Sequence, residues 1–378
     1  MRPLYFDYNA TTPVHEDVVQ AMLPFFTQKF GNPGCGHMYG MQARKAMEIA
    51  REKVAGLINA DPGQIFFTSC ATESNNQVLS GVLQPHEELI VSAVEHPSII
   101  KPAHELSRTG VTVRTVSVDS DGLVDPDQLL EKLSDKTKLV SIMLANNETG
   151  TIQPVADITS RTQPVGILVH TDAAQAVGKI PVDVKDLKVD FLSIAGHKMY
   201  APKGIGALYV RDPGTLKPLL YGGGQEKGLR SGTENIAYIA GLGQAAELAG
   251  RDTESEVRRQ KLLGKKFIQG LSRIDRDFVL HAQNAPRLPG TMSIGFAGCR
   301  AGDILSGMIA CNLAASAGAA CHGDNLSMSP VLEAMSADPY FGLGTIRFSW
   351  GRMTAEKDIE ELCSRLEFVF HDFLIRPG

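Results

Sequence analysis

The stretch Asp190-Phe-Leu-Ser-Ile-Ala-Gly-His-Lys198 is an apolar run typical of a strand, and it ends in a glycine, a histidine and a lysine. An earlier run, Gly166-Ile-Leu-Val-His170, leads into an acid, Asp172, and an amide, Gln175. A lysine at a strand end, with an acid and an amide delivered by the preceding strand, could hold an aldehyde cofactor as a Schiff base. Taken alone, Lys198 is better explained as a solvated loop lysine, and Asp172 as a helix cap.

Short apolar runs alternate with helical patterns on both sides of this stretch. The runs predicted as strands cover residues 64–68, 88–92, 111–116, 139–143, 166–170, 191–194 and 206–210. Apolar residues at helical spacing over 41–58, with charges between them, predict an amphipathic helix. Such alternation is typical of a mostly parallel sheet covered by helices, so the fold class is predicted to be α/β.

The composition changes after Gly250, where a charged stretch at 251–261 is predicted to open a helix. Beyond it, strands near 291–296 and 344–349 alternate with helices near 302–310 and 355–373. This second alternation predicts a smaller α/β domain that begins at residue 253.

Composition limits the possible function classes. A chain of 378 residues with 43% hydrophobic content can bury a large core and is long enough for two domains. The net charge of −5, with dispersed Lys and Arg, argues against direct nucleic-acid binding. No run approaches the roughly 20 apolar residues of a membrane span, and the N-terminus lacks the apolar core of a secretory signal. The six cysteines show neither CxxC pairs nor the density of a disulfide scaffold, which predicts a reducing cytoplasm.

Further segments occur in a fixed order around the first two. They are Tyr5-Phe-Asp-Tyr-Asn-Ala-Thr-Thr-Pro13, Gly31-Asn-Pro33, Ala71-Thr-Glu-Ser-Asn-Asn76, Glu95-His96, Ala145-Asn-Asn-Glu-Thr-Gly150, Arg230-Ser-Gly-Thr-Glu-Asn235 and Ala319-Ala-Cys321. Over almost its full length the chain thereby resembles the cysteine desulfurase and selenocysteine lyase family of class-V aminotransferase-like enzymes. The resemblance implies a fold-type I enzyme that uses pyridoxal 5′-phosphate (PLP). It also implies a large cofactor domain at 16–252 and a small domain made of 1–15 and 253–378.

The resemblance assigns roles around the cofactor ring. Lys198 would supply the amine, and Asp172 would keep the ring nitrogen protonated, because only a pyridinium withdraws electrons strongly enough to stabilise a carbanion. Gln175 would donate to the ring hydroxyl oxygen. His96 would cover the ring face and move protons, although a lone histidine after a strand is usually a surface or capping residue.

The cofactor phosphate has its own set of candidates. Ala71 and Thr72 open a predicted helix directly after a strand, so backbone N–H groups and the positive helix end can face an anion. His197 is a second phosphate candidate. Ala195 occupies a position where many family members have a phosphate-binding serine, a loss worth on the order of 1 kcal/mol. Thr233 resembles a phosphate ligand that reaches the cofactor of the partner subunit, which implies a homodimer.

The residue that separates sulfur chemistry from transamination is Cys321. It follows a run of small residues and precedes a polar, glycine-containing segment suited to a flexible loop. By resemblance, its thiolate attacks the substrate sulfur and is left as a persulfide. Arg347 and Asn147 match the family residues that contact the substrate carboxylate, and Asn147 also contacts the cofactor. Cys70, Cys299, Cys311 and Cys363 are interpreted as small buried hydrophobes, and Cys35 is left unassigned.

The substrate remains open between two amino acids. The segment Ser316-Ala-Gly-Ala-Ala-Cys-His-Gly-Asp324 looks closer to selenocysteine lyases than to housekeeping cysteine desulfurases. We nevertheless expect a cysteine desulfurase that forms L-alanine from L-cysteine, with selenocysteine lyase as the alternative. A class-V aminotransferase and a non-catalytic scaffold are less favoured. The sulfur or selenium acceptor could be an iron–sulfur scaffold, a tRNA or DNA sulfur-modification protein, or part of a selenium pathway.

Overall fold

The computed structural model describes residues 2–318 and 327–373. Its strands are β1 (Leu4–Tyr5), β2 (Ile65–Thr68), β3 (Glu88–Ser92), β4 (Thr112–Val116), β5 (Thr137–Ser141), β6 (Leu168–Asp172), β7 (Phe191–Ala195), β8 (Gly206–Val210), β9 (Phe278–Leu280), β10 (Thr291–Phe296), β11 (Leu313–Ala314) and β12 (Thr345–Ser349). The α-helices are α1 (Glu16–Met22), α2 (Pro24–Thr27), α3 (Met38–Leu57), α4 (Ala71–Val82), α5 (Pro97–Arg108), α6 (Pro126–Glu131), α7 (Val155–Thr162), α8 (Val184–Leu187), α9 (Ile236–Leu271), α10 (Ala301–Ala310), α11 (Pro330–Ala334), α12 (Pro339–Gly342) and α13 (Glu356–Phe368).

The central sheet has seven strands in the order β2-β8-β7-β6-β5-β3-β4. Strands β3 to β7 run parallel to one another, whereas β8 is antiparallel to both β7 and β2. Helices connect the parallel strands, as crossovers in such sheets require. The predicted α/β class with a mostly parallel sheet is therefore confirmed.

Both faces of this sheet are buried. One core cluster joins the sheet to α3 and α9, and includes Val54, Val140 and Ala245. A second cluster joins the other face to α4 and α5, and includes Val78 and Ile99. Strands β2, β3, β7 and β8 are buried along their whole length, which is why their apolar runs stand out in the sequence, whereas the edge strand β4 is mostly exposed.

One buried histidine, His170 of β6, contacts side chains of both neighbouring strands in the middle of the sheet. The Nδ1 of His170 lies 2.8 Å from the Ser141 hydroxyl, and its Nε2 lies 3.0 Å from the Ser193 hydroxyl. Burial lowers the pKa of His170 to about 4, so its ring is neutral at physiological pH. The three side chains connect β5, β6 and β7 two residues before each strand reaches the candidate site.

Helix α9 corrects the prediction that a helix opens at residue 251. The helix begins at Ile236, where the side chain of Asn235 accepts a hydrogen bond from the backbone N–H of Tyr238. Its first half is rich in small residues because it packs closely on α3: a Cβ added to Gly243 would lie 2.6 Å from the Cα of Ala50. The charged stretch at 251–261 is thus the middle of one helix. The predicted domain division at 252/253 falls inside this helix and stays a prediction.

A separate core lies around the second half of α9. Phe267 packs there with Ile294 and Phe348 from the three-stranded antiparallel sheet β12-β10-β9. Leu4 and Phe6 belong to the same core, since β1 pairs with β11. The strands predicted at 291–296 and near 344–349 and the helix predicted near 302–310 are confirmed.

Across residues 2–318 and 327–373, no helix combines the length and the apolar content that a membrane span needs.

Candidate active site

The parallel strands bring the predicted chemistry together at their carboxyl ends, the usual location of ligand sites in such sheets. A cavity of about 360 Å³ opens at this edge. The predicted site residues that line it are Ala71, Thr72, His96, Asn147, Asp172, Gln175, His197, Lys198 and Arg347. The cavity also receives Asp7 and Asn9 from the N-terminal segment, and Ser316 and Gly318 from the chain after β11.

Lys198 follows β7 and extends its ammonium into this cavity. Its Nζ donates to the backbone carbonyls of Asn9 and, at 2.8 Å, of Ala10. Burial, assisted by the positive charge of Arg347, lowers the pKa of Lys198 to about 8. At pH 7 such a lysine is neutral in about one molecule in ten, against roughly three in ten thousand at the ordinary pKa. The site thereby favours the nucleophilic form of the amine.

Asp172, at the end of β6, is a buried carboxylate that is only 6% exposed. Its Oδ2 accepts a hydrogen bond of 2.7 Å from Asn75, and its Oδ1 accepts one of 2.9 Å from the backbone N–H of Ala174. Among the described residues, no lysine or arginine forms an ion pair with it. A buried carboxylate that lines a cavity without a cationic partner fits a positively charged ligand group, such as a pyridinium.

His96 lines the cavity and caps the start of α5. Its Nδ1 accepts a hydrogen bond from the backbone N–H of Ser98 at 3.1 Å, and lies 2.8 Å from the Ser98 hydroxyl. Partial burial lowers the pKa of His96. The ring is therefore neutral, and the acceptor role of Nδ1 assigns its proton to Nε2. The Ser98 hydroxyl in turn accepts from Asn75 at 2.8 Å, which connects His96 to Asp172.

A further part of the cavity wall is formed by the start of α4. Ala71 and Thr72 are its first two residues, so N–H groups without helical partners lie at this wall. His197 lies nearby, with Nδ1 3.1 Å from the Thr11 hydroxyl, and burial together with the charge of Lys198 lowers its pKa to about 4. Ala195 lines the same cavity. A helix start and a neutral imidazole suit a phosphate group.

Cys70 also lines the cavity and is partly exposed, so its interpretation as a small buried hydrophobe was wrong. It precedes α4, where the chain turns from β2 into the helix and leaves the side chain at the cavity wall. Cys311 is buried as expected. Cys299 and Cys363 are only partly buried, at the edge of the small core. Cys35 lies outside the cavity lining.

Arg347 enters the cavity from β12. Its Nη1 donates to the backbone carbonyl of Asn147 at 2.9 Å, and its Nη2 pairs with the Asp7 carboxylate at 2.6 Å. Its Nε is buried, and no described residue accepts a hydrogen bond from it. A buried guanidinium with an unused donor fits a further anion, such as a carboxylate.

One predicted residue lies away from this cavity, and another falls outside the part of the chain that the structure describes. Thr233 is exposed and lines a different cavity beside Ser69 and Arg230. Arg230 pairs with Glu73 of α4 at 2.9 Å, which connects the Thr233 segment to the helix that forms the wall of the main cavity. Cys321 lies outside the described residues.

Five residues that support the site were not singled out from the sequence: Asp7, Asn9, Asn75, Ser98 and Lys179. Asp7, Asn9 and Asn75 lie inside segments that carry the family resemblance, and Ser98 follows His96 by two positions. Lys179 had a weaker signal, since it stands four positions after Gln175, the spacing at which side chains of one helical turn meet. Their position next to the predicted cofactor residues in the sequence was therefore a signal that could have identified them.

Comparison with known proteins agrees with this geometry. The model of the family Aminotransferase class-V matches residues 4–362. Cysteine desulfurase IscS of Dictyoglomus turgidum is 41% identical over 372 residues, covering 97% of this chain and 94% of that protein. A cysteine desulfurase of Nostoc sp. is 44% identical over 366 residues, covering 96% of this chain and 91% of that protein. The solved structure of a NifS-like protein matches with a TM-score of 0.91 at 36% identity, covering 97% of this chain and 99% of that one.

The site geometry and the comparisons therefore agree. The amine of Lys198, the buried carboxylate of Asp172 and the helix start at Ala71 occur in a chain that is similar over its full length to PLP-dependent enzymes. The chain belongs to the class-V aminotransferase family of PLP-dependent enzymes, among its cysteine desulfurases.

Proposed function

We propose that this protein is a PLP-dependent cysteine desulfurase that converts L-cysteine to L-alanine and leaves the sulfur on Cys321 as a persulfide. The observation that carries the proposal is the presence of Lys198, Asp172 and Arg347 in one cavity. Because the similar proteins are named cysteine desulfurases, we propose cysteine and not selenocysteine as the substrate.

The residues of the cavity fit the cofactor at both of its ends. Lys198 would hold its aldehyde carbon, and Asp172 and Gln175 would hold the ring nitrogen and the ring hydroxyl. Ala71, Thr72 and His197, which line the same cavity, would hold the phosphate. When bound, PLP supplies a protonated ring that stabilises negative charge at the substrate Cα.

Two side chains would move protons. Lys198, with its lowered pKa, exchanges a proton near neutral pH and lies inside the cavity, where it is protected from bulk water. His96 carries its proton on Nε2, while Ser98 holds the ring through Nδ1. We infer that His96 and Lys198, which both line the cavity, deliver or remove protons there.

Arg347 would hold the substrate carboxylate. Its Nε has no hydrogen-bond acceptor among the described residues, and its Nη2 already pairs with Asp7, so an incoming carboxylate would accept from Nε and share Nη2 with Asp7. The Asn147 carbonyl fixes Nη1 and so keeps the guanidinium plane in place. The substrate would thereby enter in a single orientation.

Sulfur transfer requires the thiolate of Cys321. The described chain lines the cavity at Ser316 and Gly318, and Gly318 precedes Cys321 by three positions in the sequence. The thiolate attacks the substrate sulfur: an S–S bond forms, the Cβ–S bond breaks, and its electron pair stays with Cβ, which then takes up a proton. The balance is L-cysteine plus a Cys321 thiol giving L-alanine plus a Cys321 persulfide.

The test of this function is alanine release from L-cysteine and from L-selenocysteine, measured in parallel for the wild type and Cys321→Ala under reducing conditions. We expect Cys321→Ala to lower alanine release from cysteine by at least about a hundredfold, because no other thiol is assigned to accept the sulfur. Cys35→Ala is the matched control and should keep nearly full activity.

The other outcomes would assign a different function. Little cysteine turnover by the wild type, with rapid selenocysteine turnover, would indicate a selenocysteine lyase. Transamination that persists unchanged in Cys321→Ala would indicate an aminotransferase. No alanine from either substrate would favour a non-catalytic scaffold.

We further propose that the active form is a homodimer in which Thr233 contacts the cofactor phosphate of the partner subunit. Thr233 is exposed and lies outside its own subunit's main cavity. Large exposed apolar side chains, including Phe26, Phe30 and Met41, are concentrated between residues 19 and 49. Apolar surface of this kind indicates a protein–protein contact.

Subunit complementation tests this assignment. Lys198→Ala and Thr233→Ala each damage the site, but a mixed dimer would contain one complete site if Thr233 acts in the partner. With equal random mixing, half the dimers are mixed and one of their two sites is intact, so activity should recover to about a quarter of wild type. If Thr233 acts within its own subunit, mixing would restore nothing.

Two broader features complete the proposal. The persulfide sulfur passes to an acceptor protein, and the protein works in the cytoplasm. The five cysteines that the structure describes are free thiols, which supports a reducing compartment.

A further inference from the structure

Lys179 is a lysine of the site region that the reaction described above does not use. It follows β6 by seven positions and does not line the cavity, yet its ammonium contacts two residues that do. Its Nζ donates to the side-chain oxygen of Gln175 at 2.6 Å and to the side-chain oxygen of Asn9 at 2.8 Å. Both acceptors belong to buried residues, 5% and 2% exposed respectively.

The first contact decides which way the Gln175 amide faces. In the structure the ammonium of Lys179 donates to the amide oxygen Oε1 of Gln175, 2.6 Å away. The Nε2 group is then directed the other way, where one of its hydrogens is donated to the backbone carbonyl of Asn9 at 3.0 Å. The second hydrogen remains available as a donor for a ligand in the cavity.

The second contact holds the segment that closes the cavity. Besides accepting from Lys179, Asn9 donates its side-chain N–H groups to the Thr291 hydroxyl at 3.0 Å and to the Asn147 carbonyl at 3.1 Å. Its backbone carbonyl accepts from the ammonium of Lys198. Asn9 therefore connects Lys179 to the amine that would carry the cofactor.

The position is unfavourable for a lysine in other respects. Burial of the ammonium, with the positive charges of Lys198 and Arg347, lowers the pKa of Lys179 well below its ordinary value. Among the described residues, no carboxylate forms an ion pair with it. A third buried basic group beside Lys198 and Arg347 lowers the stability of the folded state. Such a cost suggests that the hydrogen bonds of Lys179 serve the function of the site.

We propose that Lys179 is a positioning residue for the cofactor. It fixes Gln175 with its NH₂ group toward the cavity, so that this group donates to the ring hydroxyl oxygen, and it holds Asn9 against Lys198. This inference rests on the proposed PLP-dependent function. It extends that function by naming Lys179 as the residue that determines whether the Gln175 amide presents a donor or an acceptor to the ring.

A double-mutant cycle on cofactor affinity tests the proposal. The apo-protein is titrated with PLP, and the dissociation constant is measured by absorbance for wild type, Lys179→Met, Gln175→Ala and the double variant. We expect Lys179→Met to weaken PLP binding about tenfold in the wild type, which corresponds to one well-made hydrogen bond. In the Gln175→Ala background the same change should weaken binding less than twofold, because the group it orients is gone.

A third variant keeps the proposal testable even if Lys179→Met does not fold. Gln175→Glu retains an acceptor for Lys179 but has no donor for the ring or for the Asn9 carbonyl, so it should weaken PLP binding at least as much as Gln175→Ala. Lys185→Met is the matched control, since Lys185 is an exposed lysine whose ammonium donates to Asn59, and this variant should bind PLP normally.

The outcomes separate this inference from the proposed function. Equal losses for Lys179→Met in both backgrounds, or unchanged PLP affinity in Gln175→Glu, would overturn the positioning role while leaving the enzyme a PLP protein. Failure of the wild-type protein to bind PLP at all would instead overturn the proposed function.

Discussion

Replacing Lys198 with alanine is expected to lower alanine formation from L-cysteine by at least about a thousandfold. The change removes both the covalent attachment of the cofactor and a proton-transfer group, and the second alone is worth about 10² to 10⁴ in rate. Alanine release measures the loss. Borohydride reduction provides an independent readout, because it should fix the cofactor to wild-type protein and leave Lys198→Ala unlabelled.

Lys185→Ala serves as the matched control, and both its activity and its borohydride labelling should equal those of the wild type. If Lys198→Ala were still labelled covalently after reduction, another amine would be the attachment point. The assignment of the Schiff-base lysine would then be wrong, whatever the activity.

The second large effect concerns stability. Arg51 of α3 and Glu226 form a buried ion pair at 2.8 Å, with side chains only 6% and 2% exposed. Glu226 also accepts from the backbone N–H of Phe67 at 2.8 Å, and Arg51 donates to the carbonyl of Ile65 at 2.6 Å. Both contacts are with β2, the edge strand of the central sheet. The pair therefore connects a helix, a sheet edge and the segment that leads to Thr233.

Arg51→Met is expected to lower the free energy of unfolding by about 3 to 5 kcal/mol, because it leaves the Glu226 carboxylate buried without its partner. Urea unfolding followed by circular dichroism measures the change. The double change Arg51→Met with Glu226→Met should recover part of the loss, since two apolar side chains leave no unpaired charge.

Arg108→Met provides the contrast. Arg108 pairs with Glu105 at 3.3 Å, but the two side chains are 76% and 72% exposed, so this change should alter the free energy of unfolding by less than about 0.5 kcal/mol. Equal losses in Arg51→Met and Arg108→Met would contradict the importance given to burial.

Much of the fold could be predicted because buried parallel strands have a strong sequence signal. Strands β3 and β8 match their predicted ranges, since polar or glycine-containing turns flank continuous apolar runs. Strand β5 was placed two residues late, because Ile142 and Met143 are buried after the strand has ended while Thr137 and Lys138 inside it are polar. The apolar pattern in the sequence reports burial, whereas the strand is defined by pairing with its neighbours. At β5 the buried run and the paired residues do not coincide.

The site was predictable for a different reason. The candidate cofactor residues follow strands or begin helices, so local sequence and the family resemblance together locate them. The contacts among their supporting residues are not local: Asn9 meets Lys179 across 170 positions, and Asp7 meets Arg347 across 340. Such pairings follow from the folded arrangement of distant segments and leave no periodic trace in the sequence.

The N-terminal segment has a consequence for the order in which the molecule is made. Its strand β1 pairs with β11, and the backbone N–H of Asn9 donates to the Ser349 hydroxyl at 2.9 Å. During synthesis, which proceeds from the N-terminus, the first ten residues must therefore wait until nearly the whole chain has left the ribosome before they can dock. The large sheet can assemble earlier, so a nascent chain would have the lysine and acid of the site well before it has the segment that closes the cavity over them.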